Sequence, residues 1–487
     1  MTGGWELLIG DAALMSVLPE EYAHYRRPIQ GALGRFVELL PPVHRMAILH
    51  QQAGLPPSAS AAQRLSLLAR SCPSIHKLGQ SLARDRRLSA ELRSYLQQLD
   101  SFPPAVDVEF VRGELVHELG PLEGLGVTLL PPALAEASVA VVVPFGWARP
   151  QGGSRQGVFK LLKPGIAERL EHELAILEQV GAYLDQRCQD FGIAPIDYQG
   201  TFEQVRDKLR NEARPDLEQR HLALAADFYS TDAKVHIPTL FPFCTPRVTA
   251  MERIWGRKVT DHALTGYPRR QLAEQVIDAL IARPVLSRSS KSFFHADPHA
   301  GNLMLTDEGR LAVLDWSLLG WLGDRERTAM VQILLGALTL EAPKITAQLL
   351  DLDTSGRPRG DALNAVVHAW LKRLGPFRTP GFSWLTGLLD AAVRQAGLGL
   401  AADLLLFRKS LHSIEGVTAD IGVRREAVDQ VLLRRFLVQL TGEWPLRWLR
   451  PPFSRAYGTR LSSADLLGSA LKLPMALGRY WAGAQRY

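Results

Sequence analysis

The chain has 487 residues, 46% hydrophobic and 22% charged, with a formal net charge of +6. That length and apolar content rule out a single small core and predict two to four structural units. The modest charge gives no electrostatic case for nucleic acid, and three widely spaced cysteines, Cys72, Cys188 and Cys244, rule out a disulfide framework or a cysteine zinc site and fit a reducing compartment.

The first residues, MTGGWELLIGDAALMSVL, lack the basic region and compact apolar run of a signal peptide and carry Glu6 and Asp11, so they are read as uncleaved. Residues 1–105 read as helices broken at LPPVHR, GLPPSAS and SFPPA, because each proline pair marks a helix boundary. This is a helical N-terminal extension.

From 106 to 260 the texture changes to short β-branched runs, ASVAVVV, GVFKLL and RVTAMERI, around a long charged helical stretch from Ile166 to Asp227. That pattern predicts a small α+β lobe. Within it GVFKLLKPG sets Lys160 in an apolar strand, where a cation can grip phosphates. NEARPDLEQRH offers Glu212 and Glu218 as helix carboxylates to hold such a lysine. Glu252, ahead of Gly256, ends a strand that suits a hinge beside an adenine edge. Neither a G-x-G-x-x-G loop before Lys160 nor a G-x-x-x-x-G-K-[ST] motif occurs. Small residues including Ala137 and Ser138 stand where the glycines would, and they still permit close backbone approach.

Residues 261–430 read as a helical lobe, and FFHADPHAGNLMLTDEGRLAVLDWS, from Phe293 to Ser317, lies near its start. Asp297 and Asn302 reproduce the five-residue interval of a kinase catalytic loop: a carboxylate to orient the attacking hydroxyl and an amide oxygen to hold a metal ion. Asp315, thirteen residues further on, would chelate the same metal. The segment between reads as strand, turn at Gly309, strand, which predicts that Asn302 and Asp315 reach one mouth. His295 and His299 flank Asp297, but two imidazoles on a non-helical loop with no third ligand favour hydrogen bonding over a transition-metal site. A mixed lobe, a helical lobe and polar motifs at their junction are the anatomy of a protein kinase.

The most apolar run, Thr328 to Leu340, is too short to span a bilayer and reads as a buried helix. Residues 431–487 form a tail with nine Arg or Lys, two acids and interleaved aromatics, which suits an anionic membrane surface.

These motifs, in this order, resemble the UbiB/AarF/ADCK family of atypical kinase-like proteins. SIHKLGQSLARD is similar to the family's K-x-G-Q segment, LAEASVAVVV to its alanine-rich loop, VFKLLKPG to its strand lysine and HADPHAGN to its catalytic loop. The resemblance implies an α+β, atypical protein-kinase-like bilobal fold whose helical N-terminal extension packs over the active site. It assigns Lys77 and Gln80 to that cover, Lys160 to the nucleotide phosphates, Glu212 to a pair with the cover lysine and Glu218 to a pair with the strand lysine. Asp297 becomes the catalytic-loop carboxylate, with Asn302 and Asp315 as magnesium ligands.

The resemblance further implies ATP and Mg2+ as cofactors and an ATPase or a small-molecule or lipid kinase. The partners would be an isoprenoid or phenolic lipid substrate, quinone-biosynthesis proteins and an anionic membrane surface, with no nucleic acid. The implied location is cytoplasmic, peripheral on the inner face of the membrane. The sequence departs from the family's pattern at Glu212-Ala213-Arg214, which loses the second acid of E-x-D, at Glu136 among the alanines, at Val141 and Val143, and at Asp315-Trp316-Ser317 in place of D-F-G.

An aminoglycoside- or choline-kinase-like phosphotransferase is the alternative from another class, since its metal loop reads much as VLDWS does; the KLGQ element and the helices before it argue against this. A nucleotide-binding pseudokinase scaffold is a third reading, and the loss of Lys160, Asp297, Asn302 or Asp315 would have signalled it. All four are present.

Overall fold

The computed structural model describes residues 16–18, 20–82, 90–98, 107–136, 139–149, 152–163, 165–193, 198–261, 268–356, 360–375, 380–423 and 426–484. Ala137 and Ser138 lie outside them, and so do the side chains of Gln80 and Glu212. The chain divides into two compact units, 1–230 with 237–254 and 315–318, and 231–236 with 255–314 and 319–487. The fold is mixed, with helices dominating and small sheets in each unit.

In the first unit the extension supplies α1 (Arg26–Leu39), α2 (Pro42–Ala53), α3 (Ala61–Ser71), α4 (Pro73–Leu82) and α5 (Ala90–Gln98). Proline sets the first turn of α2, where a missing N–H costs nothing. Ser60 opens α3 with a capping box: its Oγ accepts from Gln63 N at 3.2 Å, and Gln63 Oε1 accepts from Ser60 N at 3.0 Å. After α6 (Val108–Leu119) come β1 (Val127–Leu129), β2 (Ala135–Glu136), β3 (Ala140–Ala148) and β4 (Ser154–Leu162). The helical stretch expected between Ile166 and Asp227 is three helices, α7 (Ile166–Phe191), α8 (Tyr198–Glu212) and α9 (Pro215–Tyr229). Gly192 ends the first at φ 65°, and Pro215 starts the third.

β5 (Val248–Glu252) completes an antiparallel sheet of order β1-β3-β4-β5, with β2 on β3. Strand alternation sends Phe159 and Leu161 of β4 into an apolar core with Phe145, Phe241 and Val111, which leaves Lys160 on the opposite face. Gly157 is required here because a Cβ would fall into the rings of Phe145 and Phe241. The extension does not stand apart. Phe36, Val37, Ile48 and Leu68 share a second core with Leu170, Leu174 and Leu177 of α7, so extension and sheet form one unit.

The second unit contains β6 (Gly256–Lys258), α10 (Arg269–Ile277), β7 (Lys291–His295), β8 (Leu303–Thr306), β9 (Leu311–Val313) and β10 (Leu319–Gly323). β8 and β9 are antiparallel across a turn in which Gly309 takes φ 78°, and β7 pairs with β10. Helices follow: α11 (Asp324–Leu338), α12 (Ala342–Leu352), α13 (Gly360–Leu371), α14 (Phe382–Ala396), α15 (Ala402–Asp420), α16 (Glu426–Arg447) and α17 (Ser463–Ala484). Among the described residues no helix is long and apolar enough to cross a membrane.

The basic tail is more internal than its composition suggests. Arg434 pairs with Glu274 at 3.1 Å, Arg435 with Asp278 at 2.6 Å, Arg455 with Asp465 at 2.8 Å and Lys472 with Glu341. Arg447 and Arg460 are buried, the first bonded to Glu443, Thr459 and the Leu461 carbonyl, the second to the carbonyls of Ser287 and Ser289. Trp448, Leu449 and Phe453 remain 82% exposed.

Candidate active site

The sequence-predicted residues divide between the two units. In the first, β4 pairs Lys160 with Thr249 of β5 and Val142 of β3, which fixes its Cα, and its ammonium reaches two carboxylates. Nζ lies 2.6 Å from Glu218 Oε1, on the first turn of α9, and 3.2 Å from Asp315 Oδ2. Glu218 is buried, and Lys160 is nearly so. Burial opposes the ammonium, but Asp315 and Glu218 outweigh it and hold the Lys160 pKa above its usual range. Burial likewise opposes the Asp315 carboxylate, yet Lys160, the Ser317 hydrogen bonds and the charge of Lys77 hold its pKa well below the usual range. A fixed cation beside a carboxylate kept ionised pairs a group able to meet an anion with a hard oxygen donor.

Asp315 has φ 52°, in the left-handed region. In the tripeptide Asp315-Trp316-Ser317 the left-handed residue is therefore the aspartate itself, a type that tolerates this conformation because its side chain bonds locally. Here Ser317 N donates to Asp315 Oδ1 at 3.2 Å. Trp316 is wholly buried, and its carbonyl lies 2.9 Å from His221 Nδ1 of α9. The aspartate is thus fixed by a core anchor immediately after it.

In the second unit the loop after β7 is held by its own histidines. His295, fully buried, accepts from Asp297 N through Nδ1 at 3.2 Å, so Nε2 carries the proton and donates to the Leu314 carbonyl at 3.1 Å. His299 Nδ1 accepts from Gly301 N at 3.0 Å, capping the short turn Ala300–Asn302. His295 thus spends both ring nitrogens on main-chain groups, and His299 spends Nδ1 on one. Asn302 Nδ2 donates to the Asp297 carbonyl at 3.3 Å, which leaves its Oδ1 as the metal-capable atom. Leu314 N donates to the Asn302 carbonyl at 2.8 Å, tying the residue before Asp315 to the loop.

Sequence reasoning missed the support from α15. Lys409 Nζ lies 3.4 Å from Asp297 Oδ1, Ser410 Oγ donates to the His295 carbonyl at 2.9 Å, and Ser413 Oγ donates to the Pro298 carbonyl at 3.3 Å. One helix thus grips the first half of the loop, from His295 to Pro298. His221 was missed too. Glu252 ends β5 with its N–H donated to the Thr239 carbonyl at 2.8 Å, so that amide is already engaged. Lys77 lies on α4, and its charge is felt at Asp315. The expected pairing of Glu212 with Lys77, and the places of Gln80, Ala137 and Ser138, lie outside the described atoms.

Residues 129–349 match the family model for the ABC1 atypical kinase-like domain. An uncharacterised chloroplast aarF-domain-containing protein kinase of Arabidopsis thaliana is 27% identical over 292 residues, 58% of this chain and 52% of that protein. A probable protein kinase UbiB of Shewanella loihica is 24% identical over 357 residues, 70% of this chain and 63% of that protein. The chain therefore spans between half and two thirds of the length of these relatives. Among solved structures, a complex of Rv3197 with erythromycin from Mycobacterium tuberculosis superposes with a TM-score of 0.48 at 19% identity, covering 81% of this chain and 98% of that one.

Proposed function

We propose, from the match of residues 129–349 to the ABC1 atypical kinase-like domain and the likeness to aarF-domain and UbiB proteins, that the chain is a member of the UbiB/AarF/ADCK family and a Mg-ATP-dependent enzyme, an ATPase or a small-molecule or lipid kinase. Its service would be to isoprenoid-quinone or related membrane-lipid metabolism. The observation that carries the reading is Lys160 bridging Glu218 and Asp315. A lysine held charged on a strand is suited to nucleotide phosphates, and a carboxylate held ionised is a hard oxygen donor of the kind Mg2+ takes.

Asn302 offers a second such oxygen and Asp297 the carboxylate that orients an attacking hydroxyl, with Lys409 fixing its direction. Lys77, Gln80 and Glu212 are assigned to the cover, and Ala137, Ser138 and Glu252 to backbone close to the nucleotide. A bound magnesium ion would supply neutralisation of phosphate charge. The lipid substrate and the quinone-biosynthesis partners are proposed on the family's behaviour alone. Peripheral membrane association is supported by the exposed Trp448, Leu449 and Phe453 rather than by the tail's basic residues, most of which are paired internally.

Thermal unfolding with ATP, with and without Mg2+, tests the core of this reading. At a hundredfold excess over Kd, Mg-ATP should stabilise the wild type by about 2.7 kcal/mol, and Asp315→Asn should lose the magnesium-dependent part. A wild type indifferent to Mg-ATP would refute nucleotide binding. Stabilisation without ADP release would favour the scaffold.

A further inference from the structure

The extension and α7 enclose a cavity of about 470 Å³ on the first unit, with no part in the site described above. This lies within the roughly 300–1,000 Å³ of pockets that take small organic ligands. Its walls have two characters. Leu40, Ala47, Ile48 and Leu67, from the end of α1 and from α2 and α3, make an apolar side. Arg70, Lys163 and Arg169 bring three cations to the other, against one acid, Glu173.

The acid feels the charge of Arg169, but its Oε2 is engaged by other groups. Glu173 Oε2 is occupied by Ser74 in the first turn of α4, accepting from its N at 2.9 Å and its Oγ at 2.6 Å. Arg169 Nε is buried without a hydrogen-bond partner among the described residues. A buried guanidinium N–H left unmade is costly, and a planar fork of donors beside an open volume matches a carboxylate or phosphate. The positive character is also registered by His44, whose pKa is lowered by burial and by the nearby Arg169 and His172.

We propose that this cavity binds a small anionic amphiphile, its carboxylate or phosphate head on Arg169 and Lys163 and its apolar body against Leu40, Ile48 and Leu67. The site is separate from Lys160 and Asp315, so the proposal stands whether or not the chain binds nucleotide. The class of ligand follows from the two-sided wall: an inorganic anion would leave the apolar side uncovered, and a neutral amphiphile would leave Arg169 unmet.

Isothermal titration of the full chain with decanoate, decanol and inorganic phosphate is the experiment. Decanoate should bind saturably with a stoichiometry of one, at least tenfold more tightly than decanol or phosphate, since a charge-assisted bond is lost in the one and the apolar contact in the other. Arg169→Gln should weaken decanoate by about tenfold or more. Ala47→Trp places a large side chain at an exposed position on the rim, where the core is not disturbed, and should block binding even if the arginine variant fails to fold. Decanol binding as tightly as decanoate, phosphate binding as tightly as decanoate, no binding of decanoate, or unchanged binding by the Ala47→Trp variant would each overturn the proposal.

Discussion

Replacing Glu173 with Gln should stabilise the protein at pH 8 and leave it nearly unchanged at pH 5. Glu173 is 1% exposed on α7, and burial pushes its pKa from 4.5 to about 7, against the opposing pull of the Ser74 hydrogen bonds and Arg169. Between those two values the folded chain keeps a proton that the unfolded chain has released, so its contribution falls as pH rises through the window and is constant above about 7. At about 1.4 kcal/mol per unit the full penalty is roughly 3 kcal/mol. A glutamine carries no charge to bury and keeps an acceptor for Ser74 N. The other groups around the carboxyl are Arg169 on α7, Cys72 and His76 at α4, His44 on α2, Arg70 on α3 and Lys163 after β4. These are common to both proteins and largely cancel in the difference. Thermal melts of the two proteins, monitored by circular dichroism from pH 5 to pH 8, should diverge by a few degrees above pH 7 and converge below pH 5. A variant less stable than the wild type at pH 8, or a difference that ignores pH, would refute the account of a carboxyl buried at a cost.

Three more expectations follow from the packing and the ion pairs. Lys160→Met removes the cation between Glu218 and Asp315 and should cost about 2–3 kcal/mol at pH 7.5, discounted because Asp315 is a third exposed, with the deficit narrowing as pH falls below 3.8, where Lys160 keeps Asp315 ionised in the folded wild type while the unfolded chain takes up a proton; urea midpoints at pH 7.5 and pH 3.5 check it, and a pH-independent deficit would contradict it. Gly157→Ala drives a methyl between Phe145 and Phe241 and should cost about 1–3 kcal/mol in the same assay. The triple change Trp448→Ser, Leu449→Ser, Phe453→Ser should leave the melting temperature unmoved while reducing sedimentation with anionic vesicles, and full retention on the vesicles would sink the membrane reading.

The loop from His295 to Asn302 and Asp315 was legible because its chemistry sits within a single short window, where spacing alone constrains roles. Lys160 and Glu218 were legible because a strand and a helix turn present one residue each. Lys409 was not, since it meets Asp297 across 112 residues and reads in sequence as one more solvated position on an amphipathic helix. The same reason explains the tail. Composition counts charges but not partners, and Glu274, Asp278 and Glu341, which absorb Arg434, Arg435 and Lys472, lie far upstream. The union of extension and sheet was hidden for an allied reason: the apolar stripes of α1 and α7 announce two amphipathic helices without saying that each is the other's cover.

Two of the buried arginines of the second unit, Arg327 and Arg460, set an order of assembly. The carbonyls of the Ser287–Ser290 loop are held by Arg327 of α11, 38 residues after Ser289, and by Arg460, which follows Ser287 by 173 residues. On a ribosome adding about 5–20 residues per second, the second donor arrives roughly 10–35 s after the loop is made. Helix α11 can settle early and meet all three carbonyls through Arg327, while Ser287 and Ser289 gain their second donor only once the segment around Arg460 has emerged. Full bonding of this loop is therefore a late event in the life of the nascent chain, an expectation that arrested chains of graded length would check by their sensitivity to protease at Ser287–Ser290.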